Sequence, residues 1–301
     1  MSEPRYLYRA YGLILESQIP FPGLPEDFES PPDVLITKGI VDEHLESPRD
    51  TGYKYEASRN QVLINTFSVA KILVSDGKSM VVESRKGALD IEIRLLLFGW
   101  GMGALLHQRN YLPLHAGVIS SDDGCFVFCA RSGTGKSTLL SAFLKKGYHL
   151  LDDNIAAIRM ENGRPFVWPG NTEIKLMHDA LIEFKDETFP LIGQVLRSSS
   201  KFAVNVSAQF CSFPLPIKKI YVLKREDSTL NIGRLKGSAL FHALTENTFC
   251  LQYAKSMGMI SKHFNQIRWL AGYAPVHEVR FSTQSHSPGD VADALEIDFS
   301  A

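Results

Sequence analysis

Three kinds of chemically capable residue gather in one stretch, residues 112–158, "LPLHAGVISSDDGCFVFCARSGTGKSTLLSAFLKKGYHLLDDNIAAI". They are a glycine-spaced lysine and hydroxyl, a pair of adjacent aspartates, and a lone histidine. The run "ARSGTGKS", residues 130–137, fits the phosphate-loop pattern G-x-x-x-x-G-K-[ST] at every position but the first, where Ala130 replaces glycine. Gly133 and Gly135 allow successive backbone N–H groups to turn toward one anion, and a helix starting near Lys136 adds the positive end of its dipole. The expected cradle is therefore Ser132, Gly133, Thr134, Gly135, Lys136, Ser137 and Thr138. Lys136 is placed to reach the β- and γ-phosphates of ATP, and the Ser137 hydroxyl to bind Mg²⁺. The alternative is a glycine turn before a helix with no ligand. Ala130 suits the pattern only if its φ stays negative.

Asp152 and Asp153 follow the apolar start of the next strand pattern, "YHLLDDNIAAIRM". Adjacent side chains at a strand end point to opposite sides, so one carboxylate can serve the metal while the other faces an incoming hydroxyl as general base. A solvated Asp-Asp turn is the competing reading. His115, between apolar neighbours, would by itself be a core residue. Its company makes it a candidate.

The elements around these residues must be strand, loop and helix in that order. Two β patterns, 112–120 and 124–129, precede the loop. Leu139, Leu140, Phe143 and Leu144 then recur at helical spacing, with Gly147 placed as a C-terminal stop. Upstream, residues 6–85 alternate short β-branched or aromatic runs with turn signals such as "SRNQ" and "SDGKS", which predicts a small antiparallel β-rich domain. Residues 91–110 carry an apolar pattern of helical length, and the boundary is expected near residue 88. The organisation read from the sequence is a β-rich domain over 1–88 and an α/β phosphate-loop domain over 89–301. Downstream, 217–225 and "VHEVRF" read as strands, 238–270 as one or two helices, and "SPGDVADALE" as a short helix capped near Ser287 with Pro288 at its start. Residues 186–206 have weak periodicity and read as a mobile loop, in which Arg197 and Lys201, together with the β-rich part, are expected to contact the acceptor.

Composition sets the class. With 301 residues, 45% of them apolar, the chain can bury a real core. The balance of 32 Lys+Arg against 33 Asp+Glu gives no global pull toward nucleic acid or anionic membrane. The most apolar run, 95–106, falls short of the ~18 residues that suggest a membrane span, and the N-terminus does not read as a secretory signal. Cys125, Cys129, Cys211 and Cys250 lack metal-site spacing and read as free thiols in a reducing, cytoplasmic compartment.

"LHAG", "SGTGKS" and "GYHLLDD" together resemble the catalytic core of the HPr kinase/phosphorylase family, which is similar in its nucleotide site to phosphoenolpyruvate carboxykinase. The resemblance covers residues 112–153 and extends more loosely to "IKKIYVLKR" and "VHEVRFSTQSHSPGDVADALE", but leaves out 1–88. It implies an ATP- and Mg²⁺-dependent transfer of the γ-phosphate to a serine hydroxyl. His115, Lys136 and Ser137 fall on the family's histidine, phosphate lysine and metal hydroxyl. Asp152 and Asp153 fall on its paired aspartates, with Asp152 assigned to the metal and Asp153 to the base. Its glutamate-isoleucine-arginine motif is matched by "TEIK", giving Glu173 as a further metal ligand and Lys175 in place of arginine. The opening "YRAYGLILESQIPFPGLPE" before such a core is similar to the kinases of lasso-peptide biosynthesis, which implies the C-terminal serine of a precursor peptide as acceptor. An HPr-type protein kinase, a small-molecule hydroxyl kinase and an ATPase switch remain alternatives. Assembly into a homo-oligomer is implied by the resemblance alone.

Overall fold

The computed structural model describes residues 4–27, 29–184, 188–196, 199–227 and 229–299. Contacts divide the chain into a first unit, Met1–Pro113 with Phe249–Asn265, and a second, Leu114–Thr248 with Gln266–Ala301. The boundary expected near residue 88 thus lies inside the first unit, which keeps the apolar helix and takes in a later piece of chain.

In the first unit the alternating runs become β1 (Tyr6–Ala10), β2 (Leu13–Ser17), β3 (Val34–Lys38), β4 (Asp50–Gly52), β5 (Tyr55–Ala57), β6 (Gln61–Asn65), β7 (Ala70–Ser75) and β8 (Ser79–Ser84). They form one sheet in the order β1-β2-β3-β8-β7-β6-β5-β4. Asp76 and Gly77, at φ 55° and 64°, make the tight turn expected from "SDGKS". Tyr11 and Gly12, at φ 56° and 70°, make a second turn inside a run that reads as continuous. The sheet is mixed, not antiparallel throughout, because β3 runs parallel to both β2 and β8. The long connections on either side of β3 give the chain room for the crossovers that parallel pairing requires.

The expected helix is present as α1 (Asp90–Leu96), a π-helical turn at Leu97–Gly101 and α2 (Met102–Gln108). Residues 102–107 of α2 are all buried, as a helix apolar all round must be. Gly103 is required by packing, since a Cβ there would lie 2.9 Å from the Phe249 ring and 3.0 Å from Cys250 Sγ. Among the described residues no helix is long and apolar enough to cross a membrane.

The second unit is built on β9 (Leu112–Ser121), β10 (Gly124–Ala130), α3 (Lys136–Lys145), β11 (Leu150–Asp152), β12 (Ile155–Glu161), β13 (Arg164–Trp168), β14 (Glu173–Met177), α4 (His178–Phe184), β15 (Leu191–Gln194), β16 (Lys201–Asn205), β17 (Leu215–Arg225), β18 (Asn231–Arg234) and α5 (Gly237–Glu246). After α6 (Leu251–Ser256) and α7 (Ile260–Tyr273), it closes with β19 (Val276–Phe281) and α8 (Pro288–Phe299). The 238–270 stretch is thus three helices, broken where Cys250 and Gly258 take positive φ. The loop strand β10 pairs antiparallel with β9 and parallel with β17, and β17 pairs parallel with β19. This is a mixed α/β sheet with the loop strand inside it. Strands β14, β16 and β15 form a separate small sheet, so 191–194 and 201–205, within the stretch read as a loop, are paired strands. Arg197 lies outside the described residues.

Aromatic rings fix α3 to the sheet. Phe143 stacks on Phe128 at 5.4 Å, and Phe299 of α8 lies 5.6 Å from Phe143 and 3.6 Å from Phe126. Gly147 ends α3 as expected, at φ 92°, with Tyr148 N–H bonding Phe143 O and Gly147 N–H bonding Leu144 O. Ser287 caps α8, its hydroxyl accepting the Asp290 N–H at 3.2 Å.

Candidate functional site

The loop leaves β10 at Ala130, which is buried, paired with Leu223 of β17 and free of positive φ, so alanine is tolerated at this position. Gly133 and Gly135 take φ 87° and 105°, values that favour glycine, and Gly135 forms the N-cap of α3. A Cβ on either would meet no atom within 4 Å. Backbone conformation, not space, demands glycine there.

At the start of α3, Lys136 and Ser137 both turn to Asp153. Lys136 Nζ donates to the Asp153 carbonyl and, at 2.9 Å, to its Oδ1. The Ser137 hydroxyl lies 2.9 Å from each carboxylate oxygen, and the Lys175 backbone N–H donates to Oδ2 at 3.0 Å. Both ends of the Lys136–Asp153 pair are nearly buried, so removing one partner would leave an uncompensated charge at a cost of roughly 3–5 kcal/mol.

Asp152 behaves otherwise. It is fully buried, and its Oδ1 accepts the N–H groups of Asn154 (2.5 Å) and Ile155 (2.8 Å) while Oδ2 accepts that of Asn171 (2.9 Å). Burial pushes its carboxyl pKa up, against those three N–H groups. Both aspartates are buried, but they have separate partners, Asp153 at the start of α3 and Asp152 on backbone N–H groups. The Asp152 oxygens accept backbone N–H groups of the turn and of Asn171, which argues against the metal role expected for it.

His115 sits in β9, anchored by its N–H to Asn247 O at 2.7 Å. Burial, reinforced by the positive charges of Lys136, Lys201 and Lys175 and opposed by Asp153, lowers its pKa to about 4, so the imidazole is neutral at pH 7. The same fields place His115, Lys136, Asp153, Lys175 and Lys201 in one electrostatic neighbourhood. Glu173 and Lys175 share one face of β14, and Lys201, opposite Met177 in β16, belongs to that face. Ile174 and Leu176 point into the core. Among the described residues no three His, Cys, Asp or Glu side chains converge as a metal centre. Any Mg²⁺ here would take the Ser137 hydroxyl, a hard oxygen of the kind it prefers, together with ligands brought by a nucleotide.

Two features of the site are invisible to motif reading. Gly117, two residues after His115, faces α3, where a Cβ would fall 2.3 Å from Leu140 Cδ1, so the glycine lets the loop helix lie against β9. Arg131, in the loop itself, pairs with Glu246 of α5 at 3.3 Å. A cavity of about 730 Å³ lies toward the other end of β11, between Tyr148, His149 and Phe213, and no loop residue lines it.

No family model matches the chain, and no curated protein matches it. Among solved structures it is similar to the HPr(Ser) kinase/phosphatase from Coxiella burnetii, at 10% identity, covering 63% of this chain and 99% of that one, with a TM-score of 0.34. So loose a likeness carries no assignment, and the functional reading rests on the chain's own residues.

Proposed function

We propose that the second unit is an ATP- and Mg²⁺-dependent kinase core that transfers a γ-phosphate to a serine hydroxyl. The observation that carries this reading is the meeting of Lys136 and Ser137 on Asp153 beside a loop with two positive-φ glycines. Backbone N–H groups of the loop and the Lys136 ammonium are the groups that would bind and orient the phosphates, which is most of what phosphoryl transfer asks of a protein. Mg²⁺, held by Ser137, would supply charge neutralisation on the phosphate oxygens. Asp153 would take the acceptor proton. While Lys136 bonds Asp153, that carboxylate is neutralised. Phosphate drawing Lys136 away would free that carboxylate to face the acceptor hydroxyl. Neutral His115 would hydrogen-bond without adding charge. Asp152 would hold the strand end that aims Asp153, and Glu173 would be a further ligand to the metal.

For the acceptor we propose the C-terminal serine of a lasso precursor peptide. In support, Lys175 and Lys201 add positive charge around His115 beyond what Lys136 supplies, which suits an acceptor with a carboxylate beside its hydroxyl. The test is mass spectrometry of reactions with ATP, Mg²⁺ and a peptide ending in serine, with the same peptide amidated, HPr or free serine as alternative acceptors and Lys136→Ala as the blank. One phosphate on the terminal serine, absent in the blank, is expected. Label on HPr or free serine alone would remove the peptide reading, and ATP hydrolysis unaffected by any acceptor would favour an ATPase.

A further inference from the structure

Arg131 and Glu246 stand 115 positions apart in sequence and meet at the mouth of the loop. Arg131 is the first residue after β10, and its side chain is 83% exposed. Glu246 closes α5, and its carboxylate is shared with His242, whose Nε2 lies 3.2 Å from the same Oε1 that Arg131 contacts. The helix end that carries Glu246 is well fixed. Asn247 N–H and Nδ2 both donate to Ala243 O, the Thr248 hydroxyl donates to Leu244 O, and Asn247 O takes the His115 N–H. A firm acidic anchor therefore stands on the His115 side of the loop and holds a long, exposed cation by one 3.3 Å contact.

We propose that this pair is a latch on the nucleotide site, in which Arg131 leaves Glu246 for the terminal phosphate of bound ATP. The inference rests on the nucleotide reading above. Two physical arguments support it. A guanidinium gains more from phosphate oxygens, which it can engage with two parallel N–H groups, than from a carboxylate oxygen contacted once and shared with a histidine. An exposed pair of this geometry is weak, worth at most about fivefold in an equilibrium, so the exchange is easily driven. Asn247, next to the anchor, accepts the His115 N–H, so the released guanidinium starts beside the strand that carries His115. Arg131 is thus a phosphate-contacting residue, and Glu246 a positioning residue acting through it.

Calorimetric titration of Mg-ATP and Mg-ADP into the full chain tests this, using wild type, Arg131→Ala, Glu246→Gln and the double variant at low salt. Both side chains are surface groups, and thermal melts confirm that each variant folds. Arg131→Ala should weaken ATP binding by roughly threefold to tenfold and leave ADP nearly unchanged. Glu246→Gln should tighten ATP binding by about twofold to fivefold, and this gain should vanish when Arg131 is already alanine. Equal ATP affinity in wild type and Arg131→Ala overturns the latch, as does a Glu246→Gln gain that persists without Arg131, because a general charge effect would survive the deletion. Wild type that binds neither nucleotide overturns the loop reading itself, and the latch with it.

Discussion

Replacing Asp152 by asparagine separates a structural carboxylate from a chemical one. Asparagine keeps the shape but offers one acceptor and one amide donor. With its oxygen retained toward Asn154 and Ile155, its Nδ2 faces the Asn171 N–H, which loses its 2.9 Å acceptor in a fully buried site. One orphaned buried donor costs about 1–3 kcal/mol, and the two remaining bonds lose their charge assistance. A total near 3 kcal/mol follows. For a domain of roughly 150–250 residues, each kcal/mol shifts the melting temperature by ~2–4 °C, so a fall of ~6–12 °C is expected by calorimetry. Below that temperature ATP affinity should stay within about threefold of wild type, because the carboxylate that Lys136 and Ser137 bond is that of Asp153. A variant that melts with wild type yet has lost phosphoryl transfer would refute the argument and return Asp152 to the chemistry.

Three further outcomes follow from the same geometry. Asp153→Asn should lower transfer by at least ~100-fold in single-turnover assays while ATP still binds, and retained transfer would remove the base assignment. Gly135→Ala forces a Cβ onto φ 105° with no clash to relieve, so a strain of about 1–3 kcal/mol should appear as a ~10-fold or greater loss of ATP affinity; unchanged affinity would mean that the loop need not hold this conformation. Burial holds His107 of α2 near pKa 4 with its Nε2 bonded to Phe249 O at 2.8 Å. The unfolded chain therefore binds the extra proton first, and stability is present above pH ~6.5 and lost as pH falls toward ~4, by up to ~3 kcal/mol. Urea unfolding at pH 7, 6 and 5 should show that loss shrinking in His107→Gln, and an unaltered slope would count against it.

The order of strand, glycine turn and helix was legible because its signal is contiguous. Every residue of "ARSGTGKS" and the helix behind it are set by local spacing and by glycine's access to positive φ. The division of labour between Asp152 and Asp153 was not, since it is decided by the Asn171 N–H, 19 residues on, and by Lys136 and Ser137, 17 and 16 residues before Asp153. The ribbon within 186–206 was missed for a related reason. "LIGQ" and "KFAVN" are short, one holds a glycine and three serines lie between them, while the strand that pairs with β16, β14, comes earlier in the chain. The parallel placement of β3 likewise depends on partners that no local pattern names. Gly117 looks dispensable until Leu140 is seen against it.

The first unit's discontinuity bears on the order in which the protein can be made. The sheet β1–β8 and helix α2 leave the ribosome early, but Phe249 and Cys250, which pack on Gly103, are translated only after the whole 114–248 stretch. During synthesis α2 therefore spends that interval with an apolar flank that its own unit cannot yet cover, a state open to chaperones and to misassembly. Termination after Thr248 would leave both units incomplete. A gene rearranged to place 249–265 directly after Pro113 would encode the first unit as one uninterrupted segment and remove the delay.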